Sequence, residues 1–186
     1  MRIFIMRHAK YTYSLTDYQA RKNGPMPSEE GMKETQVFAK KIAKRPFTEI
    51  YANHANRSKI PARIIAKMNA KHPRVTISGL IDPMKVDYEG ADIVAHVKDA
   101  KTRSRTGERW LEGALPSIEP LGDFMARVSR FFLQVIAAHK KDDDVLVVAH
   151  WETFAVVDAL FNGTPVKKAM KAHDAFKYNR LYEFRV

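Results

Sequence analysis

Val145-Leu146-Val147-Val148-Ala149 is an unbroken apolar run between the charged turn Lys140–Asp144 and His150. A strand with one wet face would alternate; an uninterrupted run suits a parallel strand buried on both faces. Such a strand needs helices above and below it. The chain supplies them in alternation. Arg2–Met6, with Ile3, Phe4 and Ile5 contiguous, predicts a first buried strand. Glu49–Asn53 predicts a second, and Arg74–Gly79, with Val75, Thr76 and Ile77, a third. Ser28 suits a helix N-cap, with Glu29 and Glu30 in the first turn and Met32, Thr35, Phe38, Ala39 and Ile42 at helical spacing. Ser58 is the expected cap of the next helix, with Pro61 in its first turn and Ile60, Ile64, Ile65 and Met68 on one face. Leu121, Phe124, Met125, Val128, Phe131, Phe132 and Val135 mark the longest amphipathic helix and read as core. Thr153–Phe161 is an apolar helix ended by Asn162-Gly163, with Pro165 blocking its continuation. Arg180–Val186 alternates and reads as an edge strand. Repeated β-α-β order predicts an α/β protein: a three-layer α/β/α sandwich around a mostly parallel sheet.

Composition bounds the rest. The 186 residues show no internal repeat and are expected to form one domain over 1–186. A domain of ~150 residues buries about two-thirds of its unfolded surface, so a core is attainable without covalent staples. With no cysteine, disulfides, a thiol nucleophile and a Cys-based zinc site are excluded. The N-terminal apolar stretch is broken by charge, shorter than the roughly 7–15 residues a signal peptide requires. No stretch approaches the roughly 18 apolar residues of a membrane span, so a cytoplasmic protein without a membrane partner is expected. The net charge of +11 favours anionic partners. Lys98, Lys101, Arg103, Arg105 and Arg109 lie close together, but no RNA-recognition, helix-turn-helix or zinc-finger pattern accompanies them. Nucleic acid is therefore not the favoured partner. Asp142-Asp143-Asp144 reads as a solvated turn rather than a metal cluster. The stretch at about 83–120 is long, charged and Pro-bounded, with a short helix possible near Ile93–Val97; it is expected to be a lid or insertion over the site.

Ligands of open α/β sheets bind beyond the carboxyl ends of the strands. After the predicted strands come Arg7 and His8, then His54 and Arg57, then Asp82, then His150. That set suits phosphoryl chemistry. Guanidiniums pair with phosphate oxygens, a neutral imidazole is a competent nucleophile, and a carboxylic acid can protonate a leaving oxygen. His54 is read as a bystander.

These residues carry a resemblance. Arg7-His8-Ala9 after an N-terminal strand resembles the Arg-His-Gly/Ala signature of the histidine phosphatase superfamily, which includes the cofactor-dependent phosphoglycerate mutases. Pro27-Ser28-Glu29-Glu30-Gly31 is similar to that family's Leu-Thr-x-x-Gly helix start. Tyr51–Arg57 resembles its strand followed by Ser-x-x-x-Arg. Leu80-Ile81-Asp82 with Tyr88-Glu89-Gly90 resembles its Leu-x-Glu…Trp-Glu-Gly segment, and Val145–His150 its strand ending Ser-His-Gly. Five pieces in order over residues 2 to 150 make the likeness specific. It implies a phosphoglycerate mutase-like fold and a phosphomonoester hydrolase acting through a phosphohistidine. His8 would be the nucleophile. Arg7, Arg57 and His150 would bind the phosphoryl oxygens, and Asp82 would be general acid and then base. Ser14 stands where many members have a phosphate-binding Asn. No metal and no cofactor are implied, because the arginines supply the positive field. The partners expected are a small phosphorylated substrate and inorganic phosphate as product. The chain departs from the family at Asn53 for the usual Ser, at Asp82 for the usual Glu and at Trp151 for Gly. Glu89 and Glu152 are the alternative acids. Alternative readings are a phosphoglycerate mutase-type phosphotransferase, whose members carry longer insertions; an inactive phosphate- or nucleic-acid-binding relative; and a metal hydrolase using His8, His150 and Asp82.

Overall fold

In the computed structural model, residues 1–12, 24–86, 117–171 and 175–186 are described. They form a five-stranded sheet flanked by helices. The strands are β1 (Arg2–Arg7), β2 (Phe47–Ala52), β3 (Arg74–Ile77), β4 (Asp144–Ala149) and β5 (Leu181–Arg185). The helices are α1 (Glu29–Ile42), α2 (Asn56–Met68), α3 (Leu121–Ala138), α4 (Trp151–Asn162) and α5 (Val166–Lys171), with a 3-10 turn at Gly79–Ile81. The sheet order is β3-β2-β4-β1-β5. β3, β2, β4 and β1 run parallel, and β5 lies antiparallel on the edge beside β1. The sheet is mostly parallel and the fold is α/β, as expected.

Every residue of β4 is buried, which is why the run has no polar face. Its alternate residues feed two cores. Val145 and Val147 join Ile3, Ile5, Phe124, Val128, Phe132 and Phe154 under α3 and α4. Leu146 and Val148 join Phe4, Met6, Ile50, Ala62 and Ile65 under α1 and α2. Each fully buried aliphatic or aromatic side chain contributes about 1.5–3 kcal/mol. The β1 and β4 residues, five on one face and four on the other, therefore anchor both layers.

Several boundaries differ from expectation. β2 spans Phe47–Ala52 rather than Glu49–Asn53, because the Asn53 side chain turns the backbone out of the sheet: its Oδ1 accepts from Ala55 N at 3.0 Å. α2 begins at Asn56 behind Ala55, and Ser58 is a buried first-turn residue instead of the cap. α4 begins at Trp151, two residues before the expected Thr153, with His150 in the N-cap position. β3 stops at Ile77, since Ser78 caps the 3-10 turn by accepting from Leu80 N. α5 was not anticipated; Pro165 closes off α4 but accepts from Lys168 N and Ala169 N at the start of the next helix. Asp144 is not solvated. It lies in β4, and Arg2 Nε and Nη2 donate to its two oxygens at 2.7 Å each. Among the described residues, no helix is long and apolar enough to cross a membrane, and no group of three or more His, Cys, Asp or Glu could hold a metal ion. The predicted helix near 93–97 and the basic cluster at 98–109 lie outside the described residues.

Candidate active site

The register of β1 on β4 builds the centre of the site. Arg7 pairs with Ala149, so the residues that follow, His8 and His150, leave the sheet side by side. His8 N donates to Ala149 O at 2.9 Å, and the two imidazole rings meet edge to face at 4.6 Å between centroids. β2 ends one step further along the same edge, with Ala52 paired to Val148, and delivers Asn53, His54 and Arg57. The third predicted contributor, Asp82, follows the 3-10 turn after β3.

His8 is 3% exposed, and its Nδ1 lies 2.8 Å from Ala9 O. A carbonyl only accepts, so Nδ1 carries the proton and Nε2 keeps its lone pair. Burial, then Arg57 and Arg7, hold the imidazole well below the usual histidine range, so it is neutral near pH 7. The turn is fixed from outside. Ala9 N donates to Arg57 O at 3.0 Å, and Lys10 O accepts from Ser28 N at 2.9 Å. A Cβ on Gly31 would lie 2.3 Å from Lys10 O, so only glycine lets α1 dock there.

The cations surround His8. Arg57, in the first turn of α2, is 4% exposed, with its guanidinium carbon 4.9 Å from the centroid of the Tyr11 ring. Arg7 donates from Nη1 to Phe176 O at 2.8 Å, and its guanidinium lies over Tyr178 at 4.3 Å. Tyr11 and Tyr178 flank the His8 ring at 5.4 and 5.6 Å. His150 is 2% exposed and sits ahead of α4, held well below the usual histidine range by burial, then by Arg57, His8 and Arg7. Arg7 Nε and His150 Nε2 are buried without a hydrogen-bond partner among the described residues. Both α2 and α4 start at this edge without a side-chain cap, so their amides add positive potential to that of the arginines.

Asp82 occupies the rim. Its Oδ1 accepts from His54 N at 2.8 Å, and the His54 Nδ1 lies 3.0–3.1 Å from both oxygens. His54, set aside on sequence grounds, is thus the immediate neighbour of the carboxylate. Asn53 donates from Nδ2 to Ile81 O at 3.1 Å, which gives the departure from serine a structural use. Arg127 of α3, which no sequence signal marked, donates to the carbonyls of Leu80 and Asp82. Glu152 lies in the first turn of α4 with Oε2 buried and without a partner among the described residues; burial raises its carboxyl above the usual range despite Arg57 and Arg7. Ser14 and Glu89 lie outside the described residues.

A neutral histidine beside a second buried histidine and two guanidiniums, at the carboxyl edge of a parallel sheet, defines a class: α/β enzymes that transfer phosphoryl groups. The sequence profile of the histidine phosphatase superfamily (branch 1) matches residues 3–181, and the chain belongs to that family. Its chemistry is phosphoryl transfer through a phosphohistidine. No curated protein matches the chain significantly in sequence. Solved structures do match in fold. The mycobacterial glucosyl-3-phosphoglycerate phosphatase has a TM-score of 0.75 at 18% identity, covering 98% of this chain and 90% of that one. The α-ribazole phosphatase of Shigella flexneri has a TM-score of 0.72 at 17% identity, covering 98% and 89%. A phosphoglycerate mutase of Bacillus anthracis has a TM-score of 0.69 at 14% identity, covering 88% and 81%. At these identities the likeness establishes the phosphoglycerate mutase-like fold.

Proposed function

We propose that the protein hydrolyses a small phosphomonoester in two steps without a metal ion. In the first, His8 Nε2 attacks phosphorus, the phosphorus–oxygen ester bond breaks, and Asp82 gives its proton to the leaving oxygen. In the second, water attacks the phosphohistidine, Asp82 takes the water proton, the phosphorus–nitrogen bond breaks, and inorganic phosphate leaves. Arg7, Arg57 and His150 hold the equatorial oxygens through both steps; Ser14 is the further phosphate contact carried from the sequence. Fixed positive charge around the transferring group is the largest catalytic contribution such a site can make.

The observation that carries this reading is the state of His8: buried among Arg57, Arg7 and His150, neutral, with Nδ1 committed to Ala9 O. That leaves one nitrogen as nucleophile and a ready-made oxyanion cradle around it. Two of the three solved relatives above are phosphatases, which favours water over a second substrate as the acceptor. The segment at about 83–120 would choose the substrate, and a phosphorylated small molecule suits the basic residues at 98–109.

Rapid quenching with labelled p-nitrophenyl phosphate tests it. An acid-labile, alkali-stable phosphoryl group should appear and should be absent in His8→Ala, with release of inorganic phosphate in the presence of chelator. Near-normal turnover in His8→Ala would end the assignment, and dependence on a divalent cation would turn it toward metal hydrolysis.

A further inference from the structure

Four consecutive carbonyls in the Asp82 turn are each held by a side chain from elsewhere. Ile81 O accepts from Asn53 at 3.1 Å. The other three belong to Arg127. Its Nη1 donates to Leu80 O at 2.9 Å and Asp82 O at 2.8 Å, and its Nη2 to Pro83 O at 2.9 Å. The remaining two donors go to Glu119, from Nε to Oε1 and from Nη2 to Oε2, each at 2.7 Å. A guanidinium has five N–H donors in a fixed fork, so the set is complete. The pair is secluded, at 12% and 8% exposure, and the guanidinium lies 4.7 Å from the Phe124 ring centroid.

Glu119 carries the arrangement to the neighbouring strand-like stretch. Its Oε2 also accepts from Lys85 N at 3.1 Å, its own N donates to Lys85 O at 2.9 Å, and Val86 bridges Ile118. Arg127, burial aside, keeps Glu119 ionised by holding its carboxyl below the usual range. One cation on the rigid helix α3 therefore fixes both flanks of residues 84–119 and the main chain of the residue assigned above as proton donor. Lysine could not substitute, because an ammonium offers three donors and no fork.

We infer that Arg127 is a positioning residue for Asp82, aiming its carboxyl at the leaving oxygen by holding the main chain of Leu80, Asp82 and Pro83. This rests on Asp82 being the acid. A proton donor displaced by about 1 Å loses much of its effect, on the order of a hundredfold. A purely structural role for the same side chain would slow all substrates alike.

The experiment measures single-turnover phosphorylation of the full chain with two probes. Glycerol 2-phosphate has a leaving alkoxide that needs a proton; p-nitrophenyl phosphate does not. The ratio of the two rate constants within one sample is insensitive to partial loss of folded protein. Arg127→Lys keeps the charge but loses the fork. Arg127→Gln/Glu119→Gln removes both buried charges together, so neither is left unpaired. Both should lower the alkyl-to-aryl ratio at least tenfold, and neither should lower it further in an Asp82→Asn background. If Asp82→Asn lowers the ratio while both Arg127 variants keep it at the wild-type value, the positioning role is overturned and the acid assignment stands. If Asp82→Asn itself leaves the ratio unchanged, the acid assignment fails and takes the inference with it. A further drop when the Arg127 change is added to Asp82→Asn would also overturn it, since Arg127 would then act by another route.

Discussion

Acidification should destabilise this protein through His8 and His150. His8 and His150 are 3% and 2% exposed, and both are held well below the usual histidine range, first by burial and next by Arg57. In the unfolded chain each titrates near pH 6.5. Below that value the unfolded state binds protons that the folded state refuses, so stability is present above about pH 6.5 and lost as the pH falls. Each histidine contributes a slope approaching 1.4 kcal/mol per pH unit, or about 2 kcal/mol between about pH 7.5 and pH 5. If neither protonates when folded, the pair removes about 4 kcal/mol, a large part of a typical total of about 5–15. Glu30, Glu49, Glu119 and Asp143 are also held below their usual range, but their loss begins lower, near the ordinary carboxylate values of about 4. Urea unfolding between about pH 5 and pH 7.5, followed by circular dichroism, reads the histidines against Glu152, whose raised carboxyl acts in the opposite sense and is present in both proteins compared. A His8→Gln/His150→Gln variant should show a much flatter dependence over that interval. The same slope in the variant and the wild type would refute the reasoning, because the protons would then belong to other groups.

Four further outcomes are expected. Vanadate at about a hundred times its dissociation constant should stabilise by about 2.7 kcal/mol, or roughly 5–10 °C in Tm, and Arg7→Ala or Arg57→Ala should remove most of the shift; a full shift in both places the anion elsewhere. Asp82→Asn should slow phosphorylation by an alkyl phosphate by about 10²–10⁴-fold and by p-nitrophenyl phosphate far less, and equal damage would indicate that Asp82 only positions. Gly31→Ala should cost about 1–3 kcal/mol in urea unfolding and lower kcat, because its Cβ meets Lys10 O in the turn that carries His8; a neutral effect on both would mean that α1 shifts freely. Glu152→Gln should tighten phosphate binding several-fold at pH 8, and the gain should shrink as the pH falls because the raised carboxyl loses its charge earlier than an ordinary one, as titration calorimetry against wild type at each pH would read.

What the sequence disclosed follows the range of the forces involved. β1 and β4 were legible because two-sided burial writes an unbroken apolar run, and α1 because Ser28 caps it by accepting from Gly31 N. α2 and α4 were misplaced at their starts for one reason: Ala55 and His150 make no side-chain cap bond, so Ser58 and Thr153 drew the boundary inward. Those two starts are where the proposed anion-binding groups, Arg57 and His150, emerge, and an ordinary cap would occupy amides that a phosphate could otherwise use. The candidate residues after each strand were picked out by topology, through the rule that parallel sheets bind at their carboxyl edge. The supporting shell was not. Arg127 meets carbonyls 44 to 47 residues away, His54 meets Asp82 at a separation of 28, and Arg2 meets Asp144 at 142. No local pattern encodes such pairs, and Asp144 read as a solvated turn residue for that reason.

The placement of the site is tied to the core through register. Arg7 opposite Ala149 puts His8 beside His150. A slip of one residue between β1 and β4 would separate them along the strand direction by about 3.3 Å. If β1 kept its outer pairing, the slip would also turn Ile3 and Ile5 toward α1 and α2 and send Phe4 and Met6 under α3 and α4, exchanging two differently shaped sets. The two cores therefore reject the one-residue slip that would part the histidines. Stability and chemistry remain separable within it. Truncating Ile5 or Val147 leaves a cavity worth about 1–5 kcal/mol without moving the register. The turns at 8–10, 53–57, 79–83 and 150–152 instead carry the groups proposed to act on a phosphomonoester, and their hydrogen bonds to Ala9, Arg57, Ile81 and Asp82 decide where those groups point.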